Sequence, residues 1–365
     1  MSTRRLRPEI QDFKPYVPGL SIDEIKARYG LTRVVKLASN ENPLGTSPLA
    51  RKAAERAAAL GFRYPQNHNP ALVEAIAARL GAPVENVVAG HGSDEMIDLL
   101  LRVVGRDGDH VLCWSHAFSM YRLTAKLCGL ECREAPRDPD APLPLEALAR
   151  AADERTAVVF VTSPDNPTGR AARLDELRAL ADRLPEGTIL AVDEAYVDFA
   201  RPLEEHSALP LALERDNVIA LRTFSKAYGL AGFRLGFGVM PPWLAQAMTR
   251  ARIPFTIGVL DEAAGIAGFT DDAFLAATLE TVHAGIDRLT AGLTELGCVV
   301  GPSQANFLMF TPPRPGQEVF QGLLERGVIV RPLASFGLPE RIRVSVGTEE
   351  ENEIFLRELA GVLHG

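Results

Sequence analysis

The sequence has few cysteines, no long apolar run and no excess of basic residues. Four cysteines in 365 residues are too few for a disulfide-stabilised secreted scaffold, and their spacing does not predict a metal site. No apolar run approaches the ~18 residues that span a bilayer. Lys and Arg number 39 against 47 Asp and Glu, so the net charge is −8. Without a basic block, neither a nucleic-acid nor a membrane partner is expected. We therefore expect a cytoplasmic protein.

The length predicts more than one domain. At ~150 residues per domain, a chain of this size holds about two. Residues 1–40 are poor in periodicity and contain Pro8, Pro15 and Pro18. We expect them to form an N-terminal arm that packs with the smaller domain. We place a large domain at residues 41–260 and a small C-terminal domain at residues 261–365.

The pattern of apolar residues predicts an α/β fold. Short, mostly continuous apolar runs alternate with helical segments, as expected for strands buried on both faces of a mainly parallel sheet. These runs lie at residues 87–89, 110–113, 158–162, 189–192, 218–221 and 235–239. Beyond Pro254 a long helical stretch (about 261–297), three shorter strands and a final helix indicate a smaller α+β unit. The pattern does not give the strand order.

Polar residues follow several of these runs, where open α/β sheets bind ligands. The sequence GHGSDE at residues 90–95 opens a helix, and such an N-terminus favours an anion, although Ser93 or Asp94 also fits an ordinary helix cap. Asn166 follows the third run within a segment that also suits a simple turn. Asp193 follows the fourth run and would need a cationic partner or several donors if buried.

The segment TFSKAYGLAGFR at residues 223–234 carries the most chemical information. A desolvated lysine such as Lys226 can form a Schiff base with a carbonyl cofactor, although most lysines are simply surface residues. Thr223, Ser225 and Arg234 are suited to hold a phosphate. A lysine for an imine, an acid for a ring nitrogen, an amide for a ring oxygen and a phosphate cradle are together what pyridoxal phosphate requires.

Several motifs in order along the chain support this interpretation. Together they resemble the fold-type I pyridoxal-phosphate aminotransferases of the class II subfamily, and within them the histidinol-phosphate aminotransferases. The resemblance covers about residues 14–350. It rests on PYVPG at 15–19, KLASNENPLG at 36–45, GSDE at 92–95, NPTG at 166–169, DEAY at 193–196, SKAYGLAG at 225–232 and RVSVG at 343–347.

The resemblance implies a large α/β domain, a smaller α+β C-terminal domain, an N-terminal arm and a role for each site residue. Lys226 would hold the cofactor covalently and move the substrate proton, and Asp193 would pair with the ring nitrogen. Asn166 and Tyr196 would bind the phenolic oxygen of the ring, and Phe118 would stack on its face. The phosphate would be bound by Ser93, Asp94, Ser225, Arg234 and Thr223, with Tyr64 reaching it across the interface of a homodimer.

The resemblance also implies the substrates, L-histidinol phosphate and glutamate or 2-oxoglutarate. Arg343 would grip the glutamate carboxylate in one half-reaction and the substrate phosphate in the other, since a guanidinium fork accepts either anion. Tyr16, Arg331 and Asn42 are further candidates for substrate contact, although Arg331 also fits a structural ion pair. The reaction would be ping-pong amino transfer in histidine biosynthesis.

The sequence departs from the family pattern mainly near the expected substrate pocket. His116, Ala117 and Phe118 stand where the family often has Pro-Thr-Tyr, and Thr256 and Gly258 replace frequent asparagines. An aromatic amino acid aminotransferase on the same scaffold is therefore an alternative. A decarboxylase of amino-acid phosphates, which shares most of these motifs but cleaves a different bond, is a more remote alternative. A non-catalytic regulator is also remote, because Lys226, Asp193 and Arg343 are all present.

Overall fold

The computed structural model describes residues 7–11, 13 and 21–365. Its strands are β1 Val35–Lys36, β2 Val87–Gly90, β3 His110–Trp114, β4 Glu131–Ala135, β5 Thr156–Thr162, β6 Ile189–Asp193, β7 Val218–Thr223, β8 Gly236–Val239, β9 Val299–Val300, β10 Phe307–Thr311, β11 Val328–Ile329, β12 Arg331–Pro332 and β13 Ile342–Ser345. Its α-helices are α1 Pro8–Gln11, α2 Ile22–Tyr29, α3 Pro48–Ala57, α4 Pro70–Leu80, α5 Ser93–Val104, α6 Ser119–Cys128, α7 Leu145–Ala151, α8 Leu174–Ala181, α9 Leu209–Glu214, α10 Pro242–Ala251, α11 Val259–Phe269, α12 Asp272–Glu295, α13 Gly316–Glu325 and α14 Glu349–His364.

A seven-stranded sheet dominates the structure, in the order β2-β8-β7-β6-β5-β3-β4. The five strands β3 to β7 run parallel to one another, and β8 is antiparallel to both of its neighbours. The mixed α/β fold with a mainly parallel central sheet is confirmed. The carboxyl ends of β5, β6 and β7 meet at one edge of the sheet. Thr162 and Asp193 are register partners at that edge.

Helices cover both faces of this sheet, which explains its continuous apolar runs. Alternate residues of β5 point to opposite sides: Val158 and Phe160 pack with α5, α6 and α10, and Val159 and Val161 pack with α7, α8 and α9. All seven residues of β5 are buried. Burial of such side chains contributes about 1.5–3 kcal/mol each.

A second, four-stranded antiparallel sheet lies in the C-terminal part, in the order β12-β13-β10-β9. The long α12 packs on α14 where Gly292 leaves room for Leu356: a Cβ on Gly292 would lie 2.6 Å from that side chain. The helical stretch predicted at 261–297 is in fact two helices, because Asp271 caps α12 by accepting from the Phe274 N–H at 3.2 Å. A third, two-stranded sheet pairs β1 with β11 in parallel. The proposed division into domains and its boundaries remain predictions.

Candidate active site

A cavity of about 600 Å³ opens at the carboxyl ends of the parallel strands. Residues from both parts of the chain line it, because β12 and β13 of the small sheet face the edge of the large one. Most of the side chains selected from the sequence meet here: Ser93, Asp94, Phe118, Asn166, Asp193, Tyr196, Thr223, Ser225, Lys226, Arg234, Arg331 and Arg343.

Lys226 lines the cavity from the loop after β7. Its Nζ donates to the Ser39 carbonyl at 3.1 Å and lies 5.7 Å from the centre of the Tyr196 ring. Burial and, next in size, the positive charge of Arg343 lower the pKa of Lys226 to about 8. Since only the neutral amine is a nucleophile or a base, this environment prepares Lys226 for both tasks near neutral pH.

Asp193 ends β6 on the same side of the cavity and is 3% exposed. The Ala195 N–H donates to its Oδ1 at 3.1 Å, and the Tyr121 hydroxyl donates to its Oδ2 at 2.7 Å. Burial raises the pKa of Asp193 to about 6, while these two hydrogen bonds counteract the increase. The carboxylate is therefore mostly ionised at neutral pH and suited to a cationic ring nitrogen.

Tyr196 and Asn166 face the cavity from buried positions, and a neighbouring side chain fixes each of them. The Nδ2 of Asn40 donates to the Tyr196 hydroxyl oxygen at 3.0 Å, and Asn40 is itself 1% exposed with a left-handed φ of 54°. Nη1 of Arg343 donates to the Oδ1 of Asn166 at 2.5 Å. Tyr196 and Asn166 thus hold fixed hydroxyl and amide groups beside Lys226.

One end of the cavity is built to bind an anion. Helix α5 begins at Ser93, directly after Gly92, whose φ is 81°. A Cβ on Gly236 would lie 2.3 Å from the Ser93 nitrogen, so only glycine lets β8 approach this helix terminus. Thr223 Oγ1 donates to Ser225 Oγ at 3.0 Å, and Arg234 Nη1 lies 3.5 Å from the same oxygen. Amides, hydroxyls and a guanidinium converge as a phosphate requires.

Two arginines stand at the other end, on neighbouring strands of the small sheet. Arg331 and Arg343 are register partners in β12 and β13. Arg343 is 6% exposed and donates to the Ala38 carbonyl at 2.8 Å. The Arg331 side chain makes no hydrogen bond or ion pair with any residue that the structure describes. This pair of cations is suited to bind a second anion.

Two predicted residues lie outside the cavity lining, and the position of a third is not described. Tyr64 is 83% exposed and packs on Phe255 with ring centres 5.0 Å apart, away from the cavity. Asn42 lies behind the lysine: its Nδ2 donates to the carbonyls of Lys226 and Ala227 at 3.2 and 3.0 Å, which favours a positioning role for Asn42 over substrate contact. Tyr16 is outside the described residues.

The sequence interpretation assigned no role to three contributors to the site. Asn40 lies in the KLASNENPLG motif, where it could have been recognised, and Tyr121 lies one helical turn after Phe118. His116, with a φ of 63°, brings its Nδ1 to 2.5 Å from the Phe336 carbonyl and so joins the two sides of the cavity mouth. No pattern along the chain indicates that last contact.

Comparisons with known proteins agree with this geometry. The model of the family described as aminotransferase class I and II matches residues 32–359. A histidinol-phosphate aminotransferase of Oleidesulfovibrio alaskensis is 52% identical over 99% of this chain and 95% of its own length. One from Bacillus subtilis is 37% identical over 98% of this chain and its full length.

The fold is also found in solved structures. The crystal structure of histidinol-phosphate aminotransferase from Sinorhizobium meliloti in complex with pyridoxal-5'-phosphate superimposes with a TM-score of 0.91 and 27% identity, covering all of this chain and 98% of that one. The resemblance inferred from the motifs and the fold-type I architecture are thereby confirmed. The chain belongs to the aminotransferase class I and II family.

Proposed function

We propose that the chain is a pyridoxal-phosphate-dependent aminotransferase that transfers an amino group between L-histidinol phosphate and 2-oxoglutarate. The products would be imidazole acetol phosphate and L-glutamate, as in histidine biosynthesis. The observation that carries the proposal is one cavity that Lys226, Asp193 and two groups of anion-binding side chains line together. The 52% identity to a relative of that name supports the choice of substrate.

The residues present fit pyridoxal phosphate. The amides at Ser93 and Asp94, the hydroxyls of Thr223 and Ser225 and the guanidinium of Arg234 would hold its phosphate. Asp193 would face the ring nitrogen, Phe118 the ring face, and Asn166 and Tyr196 the phenolic oxygen. When bound, the cofactor supplies a carbonyl carbon that condenses with amines and a ring that takes up electrons.

Lys226 would both attach the cofactor and transfer the proton. Its amine, with a pKa of about 8, would accept the proton from the substrate carbon that bears the amino group and return it to the acceptor carbon. Ser39 would hold the lysine in place through its carbonyl. The proton transfer is general acid–base catalysis, which typically contributes 10²–10⁴-fold to the rate.

Arg343 and Arg331 would recognise the substrates. Glutamate presents a carboxylate and histidinol phosphate presents a phosphate at the equivalent position, and a guanidinium fork binds both. Arg331 adds the second cation that a more highly charged phosphate requires. Tyr16 would contribute a further contact from the N-terminal arm.

An aromatic amino acid aminotransferase remains the second candidate, because Phe118, Leu123 and Phe336 also line the cavity. Steady-state transfer to 2-oxoglutarate from histidinol phosphate and from phenylalanine separates the two functions. The proposal predicts a kcat/KM at least about tenfold higher for histidinol phosphate, because only that substrate engages Arg331 through a phosphate. A higher value for phenylalanine would favour the aromatic enzyme.

We further propose a cytoplasmic homodimer with shared active sites. All four cysteines are free thiols, which suits a reducing compartment. None of the described helices is long and apolar enough to cross a membrane. An exposed apolar surface carries Tyr64 and would form the dimer interface; its side chains are Leu60, Phe62, Tyr64, Ile253 and Phe255.

Mixing two impaired variants tests the shared site. Tyr64→Ala should weaken cofactor binding, and Lys226→Ala should remove activity. In a mixed dimer one site contains Lys226 from one chain and Tyr64 from the other, so that unfolding and refolding the two variants together should restore a substantial fraction of activity. Each variant refolded alone is the control. No recovery in dimers that two different affinity tags show to be mixed would contradict the proposed role of Tyr64.

A further inference from the structure

Tyr121 is a buried residue beside Asp193 that the proposed chemistry does not otherwise use. It lies in the first turn of α6 and is 0% exposed. Its ring stacks on Phe160 with centres 4.4 Å apart and planes inclined by 5°. The hydroxyl lies 2.7 Å from Asp193 Oδ2 and 2.7 Å from Thr162 Oγ1. Since Tyr121 does not line the cavity, it reaches the carboxylate from the protein interior.

The number of protons fixes the direction of both hydrogen bonds. A tyrosine hydroxyl has one proton, and an ionised carboxylate only accepts. With Asp193 ionised, Tyr121 must donate to Asp193, and Thr162 must donate to Tyr121. The Ala195 N–H donates to the other carboxylate oxygen at 3.1 Å. Each oxygen of Asp193 therefore has a donor, and the carboxylate cannot rotate without losing one.

The surrounding charges make this donor important. Burial raises the pKa of Asp193, and Asp94 and Glu194 raise it too, whereas the Tyr121 hydroxyl and the Ala195 N–H lower it. Burial and the nearby Asp193 hold the pKa of Tyr121 well above its usual range, so its hydroxyl keeps the proton that it donates. The Cys113 thiol also lies near Tyr121.

We propose that Tyr121 is a positioning residue for Asp193: it fixes the rotation of the carboxylate and favours the ionised form that a cationic ring nitrogen requires. The proposal rests on the proposed function, in which Asp193 faces that nitrogen. It also explains the arrangement of α6, because one turn of this helix would supply both the ring contact of Phe118 and the hydroxyl behind the acid.

Tyr121→Phe tests the proposal, because it removes the hydroxyl and keeps the ring on Phe160. In the cofactor-free protein, protonation of Asp193 can be followed by the infrared band of its carboxylic acid, assigned by its loss in Asp193→Asn. Losing a hydrogen bond to the ionised form should move the midpoint upward by about one pH unit, a tenfold change in the protonation equilibrium. In the loaded enzyme the acidic limb of the kcat/KM profile should move in the same direction.

Tyr228→Phe is the matched control. Tyr228 is also buried, and its hydroxyl donates to Asp198 at 3.2 Å outside the cavity lining. It should lose comparable stability without moving the Asp193 midpoint. Thr162→Val retains Tyr121 but removes the hydroxyl that donates to it, so a smaller upward shift of the Asp193 midpoint is expected. If Tyr121→Phe does not fold, Thr162→Val provides the test instead.

An unchanged Asp193 midpoint in Tyr121→Phe, or in Thr162→Val where the first variant is unfolded, overturns the proposal. A shift of the same size in Tyr228→Phe overturns it as well, because the effect would then be general to buried tyrosines. Failure of the wild-type protein to bind pyridoxal phosphate would instead refute the proposed function, and the infrared titration of the cofactor-free protein would still measure the coupling between Tyr121 and Asp193.

Discussion

Replacing Lys226 with alanine should abolish amino transfer, with a fall in kcat of about 10⁴-fold or more, and leave the protein folded. Proton transfer by a positioned side chain typically contributes 10²–10⁴-fold, and the same amine would also attach the cofactor. The fold should survive because the Nζ of Lys226 donates to the Ser39 carbonyl and forms no ion pair with any other described residue. Turnover, retention of cofactor absorbance through gel filtration and circular dichroism are the measurements.

Lys52→Ala provides the control for removing a lysine. Lys52 is exposed on α3, far along the chain from the loop that follows β7. Its loss should change neither turnover nor cofactor retention. Full activity of Lys226→Ala would refute the assignment of the lysine, and with it the mechanism proposed for the cavity.

Replacing Arg343 with alanine should reduce kcat/KM for glutamate and for histidinol phosphate by about 10²–10³-fold each, because a buried charge-assisted hydrogen bond is lost with both substrates. Arg343 is 6% exposed and fixed by the Ala38 carbonyl, so its guanidinium is preorganised. Arg343→Lys retains the charge but not the fork and should recover only part of the loss. Steady-state kinetics with each substrate in turn measures the effect.

Arg331→Ala is the matched comparison from the neighbouring strand. If Arg331 serves the phosphate, its loss should weaken histidinol phosphate about tenfold more than glutamate. If Arg343→Ala instead affected one substrate alone, the carboxylate and the phosphate would have separate sites, and the idea of a shared anion site would be wrong.

The buried strands of the large sheet are predictable from the sequence, and the accessible edge strand β4 is not. β5 is a continuous apolar run because helices cover both of its faces. β4 has the sequence ECREA and is mostly accessible as an edge strand, so no apolar run marks it. The division between α11 and α12 is also hidden, because apolar spacing continues on both sides of the Asp271 cap.

The functional residues are predictable where the chain places them directly after strands. Lys226 follows β7, Asp193 ends β6 and Asn166 follows β5. Open α/β sheets bind ligands at the carboxyl ends of their strands, so these three residues are expected to lie together. Asn40 and Tyr121 escape this rule, because each acts through a partner far along the chain, Tyr196 and Asp193 respectively. Only folding brings such pairs into contact.

The absorbance of bound pyridoxal phosphate during a single half-reaction tests the central claim most directly. The purified, cofactor-loaded protein would be titrated separately with histidinol phosphate and with phenylalanine. The proposed function predicts conversion of the cofactor from the aldehyde to the amine form at far lower concentrations of histidinol phosphate. Preference for phenylalanine would assign the chain to aromatic amino acids. No absorbance band after addition of pyridoxal phosphate would contradict the proposed cofactor and the function built on it.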